Sequence, residues 1–501
     1  MSRGLPLLVA GLAWALLCRA QETPITVEGS NVLRYDEGKE VSTQRPNFAH
    51  PDNAITRRFT ENRLRLDVYR GDLRVGGRLL YFRPSSEDVY RDGLAEETRF
   101  DKRYIEASIY PFKLRAGDFS DVWGSGLAFS AYENRDVYFD SELDGVHAAF
   151  TSEPFFITGL RGTSRAGRAV EKAEVTAGRF GARMFGQSLA FNYVYVDSGA
   201  YPQSAFASVD WHVTQGILTL YGEREWNEAE LAVRPRDGHA TYVGSVLTKW
   251  RWSLLLEYKD YDYGVVTAFQ NPATVYREVG PRVLQGREPH ALNVPNEVGY
   301  QVEISGQLTN TTFVTGHYNL SSRHHLGQAG LPRPTLQEED APYWEMFASV
   351  DQSLPRDRRA FLEIGANEEA SALWQERKWA WTRFSSPLRG GHEIEIEGEG
   401  LLVKDRTRQD REYFDGMVGV GWRTGGSFSF SAQYEWSDDR DLKQREGKNW
   451  PSVELATSLN SGKHRVIAFY GRERGGLRCS NGVCRQVQAF SGFRLTLETG
   501  L

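Results

Sequence analysis

Apolar and polar residues alternate with period two along nearly the whole chain, in runs of roughly 8–12 residues, the pattern of half-buried β-strands. LRLDV at 64–68 puts Leu64, Leu66 and Val68 on one face and Arg65 and Asp67 on the other. HEIEIEGEG at 392–400 opposes Ile394 and Ile396 to Glu393, Glu395, Glu397 and Glu399. SFSFSAQYEW at 427–436 opposes Phe428, Phe430, Ala432, Tyr434 and Trp436 to small and polar residues. Past the first 20 residues no helical periodicity of any length is visible. The prediction is an all-β chain.

The connections carry more information than the strands. About 24 candidate strands can be marked, with 22 as an alternative count; the first starts near Ile25 and the last near Arg485. Long connections at 36–61, 84–98, 120–142, 227–238, 263–295, 322–341, 437–450 and 474–484 alternate with short ones such as Arg70-Gly71-Asp72, Phe112-Lys113 and Thr424-Gly425. A soluble sandwich has no reason to sort its loops by parity. A transmembrane barrel does, because one end carries tight turns and the other long loops. The expected architecture is therefore a single closed antiparallel transmembrane β-barrel, both termini at the short-turn end. Strands beginning near Ile25 leave no room before them for a separate plug domain.

Composition agrees. The 501 residues include 12% aromatics, 49 Gly and only 4 Met, with 60 basic against 66 acidic side chains, net −6. This mildly acidic balance gives no support to nucleic-acid binding. In a barrel the lipid face is apolar while the lumen face is polar, so a chain of polar average composition can still span a bilayer. Trp211, Trp250, Trp252, Trp422, Trp436 and Tyr110 fall at or near predicted strand ends, where interfacial aromatics belong.

Residues 1–20, MSRGLPLLVAGLAWALLCRA, read as a signal peptide: Arg3 precedes an apolar stretch from Leu5 to Leu17, and Cys18 and Ala20 stand at −3 and −1 of a cleavage site before Gln21. Residues 21–501 form the barrel. Cleavage leaves two cysteines in an oxidising compartment, Cys479 and Cys484, separated by Ser480-Asn481-Gly482-Val483. Asn-Gly is a strong turn former, and a disulfide across the tip is geometrically feasible. A metal site would need further ligands at suitable spacing, and none are present.

The stretch GDFSDVWGSGLAFSAYENRDVYFDSELDGVHAAF at 117–150 and the ending GGLRCSNGVC...GFRLTL resemble a family of uncharacterised outer-membrane β-barrel proteins of Gram-negative bacteria. Ser125, between Gly124 and Gly126, departs from that family's pattern, in which a basic residue is expected. The resemblance implies the outer membrane and the barrel fold, and no established substrate.

No GxSxG, HExxH, GxGxxG or phosphate loop with GK[ST] occurs, so the reading is not an enzyme and needs no cofactor. The function expected is a porin-like channel for small solutes, with outer-membrane lipids and the barrel assembly machinery as partners. The alternative is a structural or partner-binding barrel of an assembly or secretion complex. Three sets of residues belong to the lumen. Alternation places Arg63, Arg65, Arg74, Arg78, Lys113 and Arg115 on the inner face of strands two, three and five, and Glu393, Glu395, Glu397 and Glu399 on that of strand nineteen. These either oppose each other across the pore as a transverse field or pair with charges on neighbouring strands. The third set is the apolar run Trp123 to Phe129, which includes Leu127. Either the loop 120–142 folds inward as a constriction, or 124–130 extends a strand beyond the membrane.

Overall fold

The computed structural model describes residues 24–41, 55–85, 95–164, 172–198, 201–229, 236–276, 282–287, 290, 295–325, 327, 330–370, 375–445, 447–480 and 483–500. The segment 1–20 assigned to a signal peptide lies outside the described residues.

Twenty-four strands make one sheet. They are β1 Ile25–Val41, β2 Ile55–Arg70, β3 Leu73–Arg83, β4 Glu97–Ile109, β5 Phe112–Phe119, β6 Leu143–Ser152, β7 Phe155–Ser164 and β8 Ala173–Met184. Then follow β9 Gln187–Ser198, β10 Tyr201–Gln215, β11 Leu218–Ala229, β12 Arg236–Lys249, β13 Trp252–Asp262, β14 Glu297–Gln307, β15 Thr312–Ser322 and β16 Tyr343–Leu354. The last eight are β17 Arg358–Glu369, β18 Gln375–Pro387, β19 Glu393–Asp405, β20 Arg411–Arg423, β21 Phe428–Ser437, β22 Asn449–Leu459, β23 His464–Glu473 and β24 Ala489–Gly500. Each strand pairs antiparallel with its sequence neighbours. The ring closes where β24 meets β1, with Gly500 opposite Ser30 and Ala489 opposite Val41. Closure removes every free strand edge, the condition a sheet must meet to stand in hydrocarbon.

The ends differ from the sequence reading in two places. Strand β1 runs on to Val41, so the first long connection is shorter than expected. The final strand starts at Ala489 rather than near 485, because Gly476–Ser480 and Val483–Val487 form a hairpin of their own. Sorting of loops by parity holds broadly. Gly71-Asp72, Tyr110-Pro111, Glu153-Pro154, Phe185-Gly186 and Trp250-Arg251 lie at one end; 120–142, 263–296 and 323–342 lie at the other. Two connections depart from it: β9 and β10 are only two residues apart at the long-loop end, and 388–392 spans five at the short-turn end.

The faces are inverted relative to a soluble protein. Outward Ile364, Ile396, Val418, Val420 and Phe191 are exposed, whereas inward Asp36, Glu223, Lys259 and Glu363 are buried. Tyr110, Phe185 and Trp250 stand exposed at the short-turn end, where an aromatic belt contacts the interface.

Two rows of glycine bend the wall. Gly471, Gly492 and Gly38 lie in register across β23, β24 and β1; Gly117, Gly145 and Gly162 lie in register across β5, β6 and β7. A Cβ on Gly38 would sit 2.2 Å from the Ser491 carbonyl oxygen, and one on Gly145 would sit 2.1 Å from that of Arg161. Their neighbours two residues away, such as Asp36, Phe490 and Leu143, are buried on the lumen side. The glycines therefore line the concave side of two sharp corners, which any side chain would block.

Candidate functional site in the barrel lumen

Two loops of the barrel enter its own lumen. The first, 120–142, is braced by two short ladders, Asp121–Val122 with Ser130–Ala131 and Glu133–Asn134 with Phe139–Asp140. Its apolar run is buried: Trp123 is 1% exposed and Leu127 and Phe129 are 0%. The Trp123 and Phe129 rings lie 4.9 Å apart. They share a cluster with inward Phe119, Leu143, Val175, Val194 and Phe206, while Leu127 packs with Tyr242, Tyr261 and Tyr263. Burial of each such side chain contributes about 1.5–3 kcal/mol.

The polar fixings of this loop reach two parts of the wall. Glu223 on β11 accepts the backbone N–H groups of Ser125 (2.8 Å), Leu127 (3.2 Å) and Ala128 (3.3 Å), and the hydroxyls of Ser125 (3.0 Å) and Ser208 (2.7 Å). Three converging N–H groups form an anion nest, here filled by the wall's own carboxylate. On another part of the wall, Arg78 of β3 pairs with Glu133 at 2.7 Å and Arg135 donates to Asp101 of β4 at 2.9 Å. Burial opposes ionisation of Glu133, but Arg78 and Arg135 hold its carboxyl below the usual range. A loop bonded both to β11 and to β3–β4 lies as a chord across the lumen.

The second loop joins β13 to β14. Its first part packs on the first loop: Ser130 N–H donates to the Phe269 carbonyl at 2.7 Å and Asn271 N–H to that of Gly126 at 2.9 Å. Its segment 282–287 crosses to the other wall. There Glu399 of β19 accepts the N–H groups of Val283, Leu284 and Gln285 at 2.8, 3.1 and 3.4 Å, a second wall carboxylate in a second backbone nest. Arg282 donates to Glu363 of β17 at 2.9 Å and Arg287 to Glu435 of β21 at 3.0 Å. Leu284 enters a small cluster with Phe347, Trp379, Leu401, Val403, Tyr413 and Met417. His290 stacks on Tyr343 at 4.0 Å and bonds Glu369 at 3.1 Å, with Glu297 3.7 Å away. Burial alone would lower its pKa; the two carboxylates outweigh burial and push it up to about 9.

The expected lumen charges stand as follows. Every one of the six bases has a carboxylate at ion-pair distance: Arg63 with Glu61, Arg65 and Arg74 with Asp67, Arg78 with Asp101 and Glu133, and Lys113 and Arg115 with Glu106. Arg423, opposite Glu393 on β20, lies 3.2 Å from Glu393 and 3.6 Å from Glu395. Glu399 is taken by the loop. Within this quartet Glu397 and Glu399 have no base within 4.0 Å among the described residues, and Glu399 is satisfied by backbone N–H groups instead. The inner wall is thus a mosaic of short-range pairs rather than two bare clusters facing each other. Cys479 and Cys484 are directly opposite in the short hairpin, and their side chains lie outside the described residues.

Glu223, Arg282, Leu284, Arg287, Glu363 and Glu435 were not legible as site residues. One signal did exist. Leu401-Leu402-Val403 and Trp379-Ala380-Trp381 are apolar on both faces, although the strands around them alternate. An apolar residue on a lumen face needs an occupant, and Leu284 is that occupant. His324 and His325 are bonded to Asp260 at 2.9 Å and Asp340 at 3.0 Å. Among the described residues no group of three metal-capable side chains converges.

The fold is shared with solved barrels of very different sequence. The P pilus usher PapC translocation pore superposes with a TM-score of 0.50 at 10% identity, covering 95% of this chain and 99% of that one. PapC in an E. coli P pilus tip assembly intermediate gives 0.51 at 11% identity, covering 96% of this chain and 62% of that one. Pseudomonas aeruginosa OccK3 gives 0.40 at 11% identity over 75% of this chain and 94% of that one. No curated relative matches in sequence. A family model matches residues 47–184 and 387–501, which hold β2 to β8, the loop 120–142 and β19 to β24, just over half of the chain; the protein belongs to the family of unknown function DUF6029.

Proposed function

We propose that the protein is an outer-membrane pore that passes small polar solutes through a lumen narrowed by its own two loops. The observation that carries this reading is the wet half of the lumen. Towards the short-turn end, inward side chains remain solvated: Glu393 is 37% exposed at its side chain, Arg65 49% and Lys113 52%. A core-filled barrel would bury them. Towards the long-loop end the two loops cover the wall. Beneath Arg287 a polar cavity of about 300 Å3 remains, lined also by Gln433, Glu435, Trp450 and Glu454. Residence in the outer membrane, after removal of residues 1–20 and insertion by the barrel assembly machinery, follows from the same reading. So does a disulfide between Cys479 and Cys484 in an oxidising compartment.

The likeness to an usher over nearly the whole length of both chains favours a second reading, a barrel that binds a protein partner in an assembly or secretion complex. Purified barrel in a planar bilayer separates the two. The pore reading expects stepwise conductance without added partner. A silent barrel that co-purifies with other proteins would replace it with the second reading.

A further inference from the structure

We propose that the segment 282–287 is a gate held to the lumen wall by charge, whereas 120–142 is a fixed constriction held by hydrocarbon. The inference deepens the pore reading and rests on it only for its effect on conductance.

The two segments use the same carboxylate-in-nest fixing but differ in what surrounds it. The first loop buries Trp123, Leu127, Phe129, Val137 and Phe139 and carries two ladders of its own. Lifting it would return all of that apolar surface to water. The second segment has one short 3-10 turn, Gln285–Arg287, and a single fully inserted apolar side chain, Leu284, with Val283 packed at its edge. Its remaining fixings centre on charge: Arg282 on Glu363 and over the Phe347 and Trp379 rings, Arg287 on Glu435 and on the Arg474 carbonyl, and three N–H groups on Glu399.

Charged bonds of this kind are exchanged for bonds to water on opening and weaken with added salt or with neutralisation of one partner, which buried hydrocarbon does not. The groups facing the segment reinforce the point. Glu363 otherwise receives the Trp379 indole N–H at 3.1 Å, and Arg474 of the neighbouring connection holds Asp415 at 2.7 Å and lies 3.6 Å from Glu435. Lifting the segment therefore leaves Glu363 and Glu399 as a bare anionic wall that water and cations solvate. The closed state depends on charge complementarity, and the open state gains from salt.

Trypsin reads this directly, because Arg282, Arg287 and Arg135 are cleavage sites on the two loops. Limited proteolysis of the full barrel in detergent, mapped by mass spectrometry, is run on the unaltered chain and on the Glu363→Gln/Glu435→Gln variant. The expected result is cleavage after Arg282 or Arg287 accelerated about tenfold or more in the variant, with cleavage after Arg135 unchanged, since cleavage tracks the open population. The unaltered chain should show the same selective rise when salt is raised from about 0.05 M to about 1 M, where screening shortens from roughly 14 Å to 3 Å. This salt series decides the matter if the variant does not assemble. Unchanged cleavage at Arg282 and Arg287 would overturn the gate, as would Arg135 opening in step with them. Selective opening in a barrel without conductance would keep the gate and remove the pore reading. Normal conductance with no selective opening would do the reverse.

Discussion

The carboxylate of Glu399, on the inner face of β19, accepts the backbone N–H of Leu284 at 3.1 Å, and the side chain of the same leucine fills the apolar pocket beside that carboxylate. One residue of the loop is thus fixed through its main chain by a charge and through its side chain by packing. Glu223 does the same for the turn around Leu127, whose N–H it accepts at 3.2 Å. Each wall carboxylate replaces the water that three loop N–H groups would otherwise bind.

Replacement of Glu399 by Gln keeps the shape and removes the charge. A charged hydrogen-bonded group of this kind is worth about 1.5–3 kcal/mol. Amide exchange at Val283, Leu284 and Gln285 should speed up by about tenfold or more, while the amides of Ser125, Leu127 and Ala128 keep their rates. Glu223→Gln should give the converse pattern. Equal loosening of both loops by either variant would show that they move as one body.

The glycine corners predict a sharp contrast. Gly38→Val puts a Cβ 2.2 Å from the Ser491 carbonyl oxygen at the β1–β24 seam. Backbone cannot yield that far without opening the seam, so the folded, heat-modifiable gel band should be lost. Gly159→Val meets nothing within 4 Å and should assemble normally, because a β-branched residue suits an open strand position. Normal assembly of Gly38→Val would contradict the corner geometry.

His290 gives the seat of the second loop a dependence on pH with a definite sign. Its pKa is raised from 6.5 to about 9 by Glu297 and Glu369, so the charged form is the stabilised one. The contribution is fully present below about pH 6.5 and is lost as pH rises through about 9. Protection of Leu284 against amide exchange, corrected for intrinsic rates, should fall between pH 7 and pH 10. His290→Gln should flatten that fall; a fall of the same size in the variant would assign it to another group.

The hairpin register places Cys479 opposite Cys484, the spacing a disulfide requires. Closing so small a ring stabilises by an amount on the order of 2 kcal/mol. Denatured, unreduced protein should take up no thiol label, and reduction should expose two thiols. Label at both positions without reduction would exclude the bond.

The barrel itself was written in the sequence, because a strand's side chains alternate with a fixed period and a membrane constrains every one of them. Ile394 and Ile396 had to face lipid once Glu393 and Glu395 faced water, and the rhythm of tight turns and long connections fixed which end each strand starts from. Twenty-four marked strands correspond one to one with the twenty-four observed, apart from their ends. The lumen was not legible in the same way. Alternation says that Arg78, Glu223 and Glu399 point inward, but not what they meet there, since their partners lie tens to over a hundred residues away: Arg78 finds Glu133, Glu223 finds Ser125, and Glu399 finds Leu284. Only closure of the ring sets those distances. Local periodicity determines the face of every residue; the tertiary structure alone decides which wall each loop lands on, because that choice depends on the curvature of a sheet whose corners are set by Gly38 and Gly145.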